Sequence, residues 1–324
     1  MKAVVIGASG HIGNAVVRAL VGRGIEVTAT SRKSDRPLNL AGLPVHFAPG
    51  DSAVPGQFDA WIAGHDVVVD AAAPYPLSVR RNPVFVSDAV RRTRELLEAV
   101  SRHNARLVSI GSFATTPFAR KGLDALPHEL MRLAHPYFAV KEAIEAEAIE
   151  AARHGARIVL LNPTMCIGPW DLRRRELCMI PRLLRGEVPA VTNQNLNLID
   201  VRDVADSAIA ALEAERYGEP IVLTGHNISV DMLFAWICEI GGAQPPRTYV
   251  PASIAIAGSY WAELALGLLG QETPLPSLFL MLASAFDCPR RAIISSHRRR
   301  RSSAALRWSA PSSSTIRAPT SPPA

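Results

Sequence analysis

An α/β fold is what this 324-residue sequence predicts: a Rossmann-type doubly wound parallel sheet with a smaller C-terminal substrate lobe. Three observations predict it. Short apolar runs alternate with helical periodicity through the first half of the chain. A glycine-rich turn, "VIGASGHIG", follows the first apolar run directly. Beyond about residue 165 the alternation loosens. The sheet therefore falls in 1–165, with a return near 198–226, and 166–288 forms mainly the second lobe.

The elements follow in order. "KAVVIG" (2–7) is an apolar strand, and 11–24 is a helix stopped by Gly24. "IEVTATSR" (25–32), 45–51 and "DVVVDAAA" (66–73) are the next three strands. Residues 83–104 form a long helix whose apolar spacing at Val86, Val90, Leu97 and Val100 predicts one buried face. "ARLVSIGS" (105–112) is the fifth strand. The stretch 136–154 is a helix, with Pro136 suited to its first turn. The sixth strand is "ARIVLLNPT" (156–164). Later come a helix over 200–214 capped by Asp200 or Asp203, a short strand "PIVLTG", and a helix begun by Ser229.

Composition narrows the function classes. A 48% hydrophobic and 20% charged content is that of a soluble globular chain. Four cysteines without C-x-x-C spacing argue against a zinc site or a disulfide framework, and point to a reducing cytoplasm with no metal. The apolar window 252–270 carries Glu263 and several glycines, so a buried or partly buried helix is expected rather than a membrane span. The net charge of +6 arises at the end: eight arginines and no acid follow Asp287, leaving 27 basic against 29 acidic residues up to and including it. Nucleic-acid binding by the folded part has no support. The 289–324 tail, rich in Arg, Ser, Ala and Pro, is expected to be disordered and solvated. A polyanion-binding patch and a frame-shifted native end are the alternatives.

Gly7, Gly10 and Gly13 have the spacing G-x-x-G-x-x-G between a strand and a helix. Such a turn lets the backbone approach a pyrophosphate, and the helix N-terminus favours its charge. With His11 and Ile12 opening the helix, these residues are the expected dinucleotide site. The second strand ends in "SRKSDR", with Arg32 and Lys33 where an acid would hold an NAD ribose. Both can pair with a 2′-phosphate, so NADP is expected, with NAD second and Asp35 as the complicating acid. Asp51 could reach the adenine, and Ala71, Ala72 and Ala73 give a close wall of small residues.

Tyr137 and Lys141 stand four residues apart, so one helix face carries both. A tyrosine titrates near ~10, and a neighbouring ammonium would lower that value and suit the phenol to proton exchange. Lysine could also hold the nicotinamide ribose. Ser112, with Ser109 second, stands at the fifth strand's end to orient a substrate oxygen.

The motifs "GASGHIG", "DVVVDAAA", "SIGSFAT", "YFAVK", "LNPTMCIGPWD" and "NLIDVRDVA" carry a resemblance over about 1–250. The chain resembles an extended short-chain dehydrogenase/reductase of the NAD-dependent epimerase/dehydratase family, nearest its dihydroflavonol-reductase-like branch, which includes hopanoid-associated sugar epimerases. The resemblance implies that Ser112, Tyr137 and Lys141 are catalytic and that Pro163 and Thr164 line the nicotinamide side. It also implies a homodimer through the helices at 83–104 and 136–154. The chain departs from the family at "AVRRT" (89–93), where Ala89 replaces the asparagine of N-V-x-G-T, and at Asn162, where many relatives have arginine.

The expected reaction is hydride transfer between NADP(H) and a carbonyl or alcohol of a small organic substrate, with Tyr137 exchanging the proton. "SFATT" offers no acid to expel water, which disfavours dehydration. A sugar epimerase is the alternative, and a cofactor-binding sensor without turnover the alternative of another class. Met165, Ile167 and Trp170 are expected to form an apolar substrate wall, and the arginines at 173–175 to be solvated.

Overall fold

The computed structural model describes residues 1–76, 78, 84–116, 135–172, 179–271 and 276–283. The first half is built, in order, from β1 (Lys2–Ile6), α1 (His11–Val21), β2 (Glu26–Ser31), β3 (His46–Pro49), α2 (Gln57–Ile62), β4 (Val67–Asp70), α3 (Phe85–Arg102), β5 (Arg106–Ile110), α4 (Pro136–Arg153) and β6 (Ile158–Pro163). Then follow β7 (Met165–Ile167), α5 (Met179–Leu184), β8 (Ala190–Thr192), β9 (Asn195–Asp200), α6 (Val201–Glu213), β10 (Pro220–Leu223), β11 (His226–Ser229), α7 (Val230–Gly241), β12 (Thr248–Val250), α8 (Ala252–Leu268) and α9 (Ser277–Ala283).

Seven strands make one parallel sheet in the order β3-β2-β1-β4-β5-β6-β10. The short "PIVLTG" strand thus closes the edge of the main sheet. Alternate residues divide between two cores, because successive side chains of a strand point to opposite faces. Ala3, Val5, Val67, Val69 and Val108 pack under α1 and α6. Val4, Ile6, Val68, Leu107 and Leu160 pack with Phe58, Trp61, Leu96 and Ala148 of α2, α3 and α4. Both faces are covered, which is why these strands read as nearly continuous apolar runs.

The strand order reverses between β1 and β4, and ligands of such sheets bind in the crevice outside the carboxyl ends there. The chain beyond β6 packs Leu183, Val191, Leu196, Phe234 and Met281 in one cluster with Phe113 and Phe138 of the first half. It adds two small sheets, β11-β9-β7 and β12-β8.

Three expectations change. The buried face of α3 is rotated: Val86 is exposed and Val90 and Leu97 half-buried, while Ala89, Arg92, Thr93, Leu96, Ala99 and Val100 are buried. A charged side chain inside the helix's buried stripe explains the misreading, and its partner is described below. Helix α8 inverts the usual polarity, with Trp261 68% and Leu268 89% exposed while Glu263 is buried. Glu263 is drawn in because its carboxylate accepts from the Ser277 backbone N–H (3.1 Å) and hydroxyl (2.9 Å), capping α9. Helix α2 was not expected, although Phe58, Trp61 and Ile62 have helical spacing and are all buried.

Asp200, not Asp203, caps α6, accepting from the Arg202 N–H at 2.8 Å. Among the described residues no helix is long and apolar enough to cross a membrane. The 289–324 tail and the arginines at 173–175 lie outside the described residues.

Candidate active site

The glycine turn after β1 is built for close approach. Gly7 has φ +80°, a conformation that costs glycine little, and a Cβ there would lie 2.9 Å from the Ala72 Cβ. A Cβ on Gly13 would stand 2.2 Å from the Gly7 carbonyl oxygen. The turn closes through the Gly10 N–H on the Gly7 carbonyl (2.9 Å), and α1 begins at His11. Ala71 and Ala72, directly after β4, lie close against this turn at the switch point of the strand order. These residues fit the cofactor the sequence implied. Gly13→Ala is expected to cost about 1–3 kcal/mol through overpacking. Melting with and without NADPH should read both that loss and a smaller cofactor-induced rise than in the parent.

At the end of β2, Ser31 is buried and its Oγ lies 2.9 Å from the Ser9 Oγ, while the Asn39 side chain donates to the Ser9 carbonyl at 2.9 Å. The glycine turn and the β2 end are thereby tied together. Arg32 and Lys33 follow in the open, beside Asp35. Asp51, after β3, accepts from the Ala53 N–H at 3.0 Å and shapes its own turn.

His11 is buried, with Nδ1 3.9 Å from the Asp171 carboxylate, and Ile12 packs on the core under the sheet. Trp170 has φ +65°, and the Arg18 guanidinium of α1 lies 4.2 Å from its ring centroid. Met165 does join the apolar cluster that contains Tyr137.

Helix α4 starts on a local cap: the His135 ring accepts from the Tyr137 N–H at 3.2 Å, and Pro136 fills the first position. The first turn thereby presents Tyr137, whose hydroxyl donates to Ser112 Oγ at 2.8 Å. Ser112 caps a short turn, its Oγ also accepting from the Ala114 N–H at 3.2 Å. Ser112 rather than Ser109 is the serine joined to the tyrosine. Lys141 lies one turn on, with Nζ 6.0 Å from the ring centroids of both Tyr137 and Tyr75.

Burial, aided by charge repulsion from the neighbouring Tyr75 phenol, raises the Tyr137 phenol well above its ordinary value, and the Ser112 hydrogen bond only partly offsets it. The expected lowering by the lysine is therefore not what governs this phenol. Burial also lowers Lys141 to about 8, with Asp70 pulling the value up and Arg92 pulling it down.

Several neighbours were not anticipated. Arg92 makes a two-pronged pair with Asp70, Nη1 to Oδ2 and Nη2 to Oδ1 at 2.8 Å each, both residues buried. Its Nε donates to Ser52 Oγ at 3.1 Å, linking β4 and α3 to the turn that holds Asp51. Ala89, the family's missing asparagine, sits in an apolar cluster with Val140 and Ile144. Glu145, one turn beyond Lys141, accepts from Thr115 Oγ1 (2.8 Å) and Asn162 Nδ2 (2.5 Å) and so braces the Ser112 turn from behind. Its i+4 spacing from Lys141 was the available signal. Pro163 ends β6, and the hydroxyl of Thr164 donates to Asn197 at 2.8 Å, fixing that strand end to β9.

Comparisons with known proteins bear on the fold and the family. Residues 3–224 match the NAD dependent epimerase/dehydratase family. A Synechocystis sp. protein provisionally named a dihydroflavonol 4-reductase is 30% identical over 281 residues, 84% of this chain and 82% of its own. The crystal structure of gox2253 superposes with a TM-score of 0.70 at 26% identity, covering 88% of this chain and 87% of that one. Bordetella bronchiseptica WbmH in complex with NAD+ shares the fold, with a TM-score of 0.61 at 19% identity over 78% of this chain and 85% of that one. A glycine turn between strand and helix at the switch point, and a match across most of the chain, lead to one conclusion: this chain belongs to the NAD dependent epimerase/dehydratase family, enzymes of the extended short-chain dehydrogenase/reductase type.

Proposed function

We propose that the chain is an NADP(H)-dependent carbonyl reductase acting on a small, largely apolar ketone or aldehyde. The observation that carries this reading is the Tyr137 hydroxyl donating to Ser112 at 2.8 Å with Lys141 one turn away on the same helix. Bound NADPH would supply the hydride. Because Tyr137 donates its proton to Ser112, the serine's own proton is left to point at a substrate oxygen. As charge develops the substrate oxygen takes the Ser112 proton, and Tyr137, the general acid, returns a proton to Ser112 along their hydrogen bond. The Lys141 ammonium favours the phenolate that remains, and would hold the ribose beside it.

Gly7, Gly10 and Gly13 would cradle the pyrophosphate against the α1 N-terminus, Ala71, Ala72 and Ala73 would flank the nucleotide, and Pro163 and Thr164 would border the nicotinamide. Asp51 would reach the adenine. Ser31, Arg32 and Lys33 support NADP over NAD, since no acid occupies the β2 end and two exposed cations do. The apolar setting of Tyr137, with Phe113, Phe138 and Met165 in one cluster, favours an apolar substrate over a sugar.

Titration with NADPH and NADH, followed by a carbonyl panel read by loss of reduced nicotinamide, tests the proposal. NADPH should bind about tenfold more tightly, as expected for one charge-assisted contact, and Arg32→Ala should remove most of that margin. Equal affinity for both cofactors would contradict the NADP assignment, and binding without turnover would favour a sensor.

A further inference from the structure

We infer that the outer face of α8 is a docking surface for an anionic lipid bilayer, on which the protein lies without crossing it. A surface helix ordinarily turns its polar side to water, and α8 does the reverse. Ile254, Ala257, Trp261, Ala265 and Leu268 follow the spacing of one helix face, and all five are exposed. Leu269, also exposed, extends the row just past the helix end. The row is roughly 20 Å long at the α-helical rise per residue. Glu263, the one charged residue of α8, is buried against Ser277, so the outer face carries no charge. A continuous apolar row with a tryptophan at its centre marks a surface that a partner or a bilayer covers.

The inner side of α8 holds the row in place, because Ile256 and Tyr260 pack on the cluster that contains Tyr137. Docking needs no particular reaction at that site, although it brings the site's apolar cluster to the phase in which apolar substrates concentrate. Charge selects the lipid. The chain passes from α8 to α9, whose first residue, Ser277, is held by Glu263 of α8. Eight arginines and no acid follow Asp287, and four of them form the run 298–301. That run comes about fifteen residues after Ala283, a length of chain that spans at most roughly 50 Å. It is therefore tethered within reach of the α8 face. An apolar surface and a polybasic segment are the two signals that together anchor a protein to an anionic leaflet, where one alone is marginal. A second copy on the same face would bring two such arginine segments together, and their repulsion opposes it.

Flotation with vesicles of phosphatidylcholine alone, and of phosphatidylcholine with an equal part of phosphatidylglycerol, tests the assignment. The full chain should float with the anionic vesicles and bind the neutral ones about tenfold more weakly, a difference that salt should shrink by screening. Trp261→Ser combined with Leu268→Ser changes only exposed side chains and should keep the parent's melting temperature. Binding of that double variant to the anionic vesicles should fall by about tenfold, because the apolar contact is gone. Replacing Arg298, Arg299, Arg300 and Arg301 by serine should instead abolish the preference for anionic over neutral lipid. A parent that binds neither vesicle would overturn the inference. So would full binding by the folded double variant, since the arginines would then suffice without α8. A parent dimer in sedimentation that the double variant turns into monomers, with no vesicle binding, would give the face to a second copy and overturn it as well.

Discussion

Tyr137→Phe is expected to lower kcat for carbonyl reduction by about 10²–10⁴-fold, the contribution of a positioned general acid, while NADPH still binds. The variant keeps the ring that packs on Tyr75 and Phe138, so its stability should change little. What it removes is the proton and the hydrogen bond to Ser112. Burial keeps the phenol protonated well above its ordinary value, so across the neutral range Tyr137 stands ready as an acid. Lys141 is the group that titrates in range. Burial lowers it to about 8, so the ammonium is present below that pH and lost above it. Reductase kcat/KM should therefore fall as pH rises through about 8. In Lys141→Arg, whose cation does not titrate there, that fall should disappear. A parent profile flat through this window would count against the assigned role of Lys141.

Arg92→Leu is expected to destabilise the fold by about 3–5 kcal/mol, the penalty for leaving a buried partner charge uncompensated. Asp70 is buried at the end of β4, where its carboxylate accepts both Arg92 prongs and the Ala72 N–H at 3.1 Å. Burial alone would raise the Asp70 value, but the Arg92 charge and hydrogen bonds outweigh it and the net direction is down. An acid depressed in the folded state stabilises above its unfolded value, about 4. The contribution fades as pH falls through the lower folded value. Thermal melting from neutral to acid pH should show the gap between parent and Arg92→Leu closing toward low pH. The double variant Asp70→Leu with Arg92→Met should recover most of the loss, because an apolar pair can replace an ion pair of similar volume. A gap independent of pH would mean that packing, not charge, sets the cost.

These two predictions touch what the sequence did and did not reveal. Tyr137, Lys141 and the glycine turn were legible because their relation is local: four residues on one helix, or seven along a strand–turn–helix. Ser112 was legible as a strand end, although only the fold selects it over Ser109. Arg92 was not legible. On a helix its cation reads as solvated, and its burial depends on Asp70, 22 residues earlier on another element. The same missing partner hid the rotation of α3. The positive φ of Trp170 and its contact with Arg18 were likewise out of reach, because Arg18 is distant in sequence. Tyr75 sits in "PYP", which announces a stiff turn and nothing about the phenol it touches.

Under the proposed function, a hydride moves from NADPH to a substrate carbonyl beside Tyr137. Reduction of an apolar aldehyde with NADPH deuterated at the nicotinamide C4, followed by mass spectrometry of the alcohol, tests it most directly. Deuterium from one face of the cofactor should appear at the carbinol carbon of the product, and oxidised NADP should accumulate in equal amount. Unlabelled product, or cofactor that remains reduced on an active enzyme, would contradict the claim.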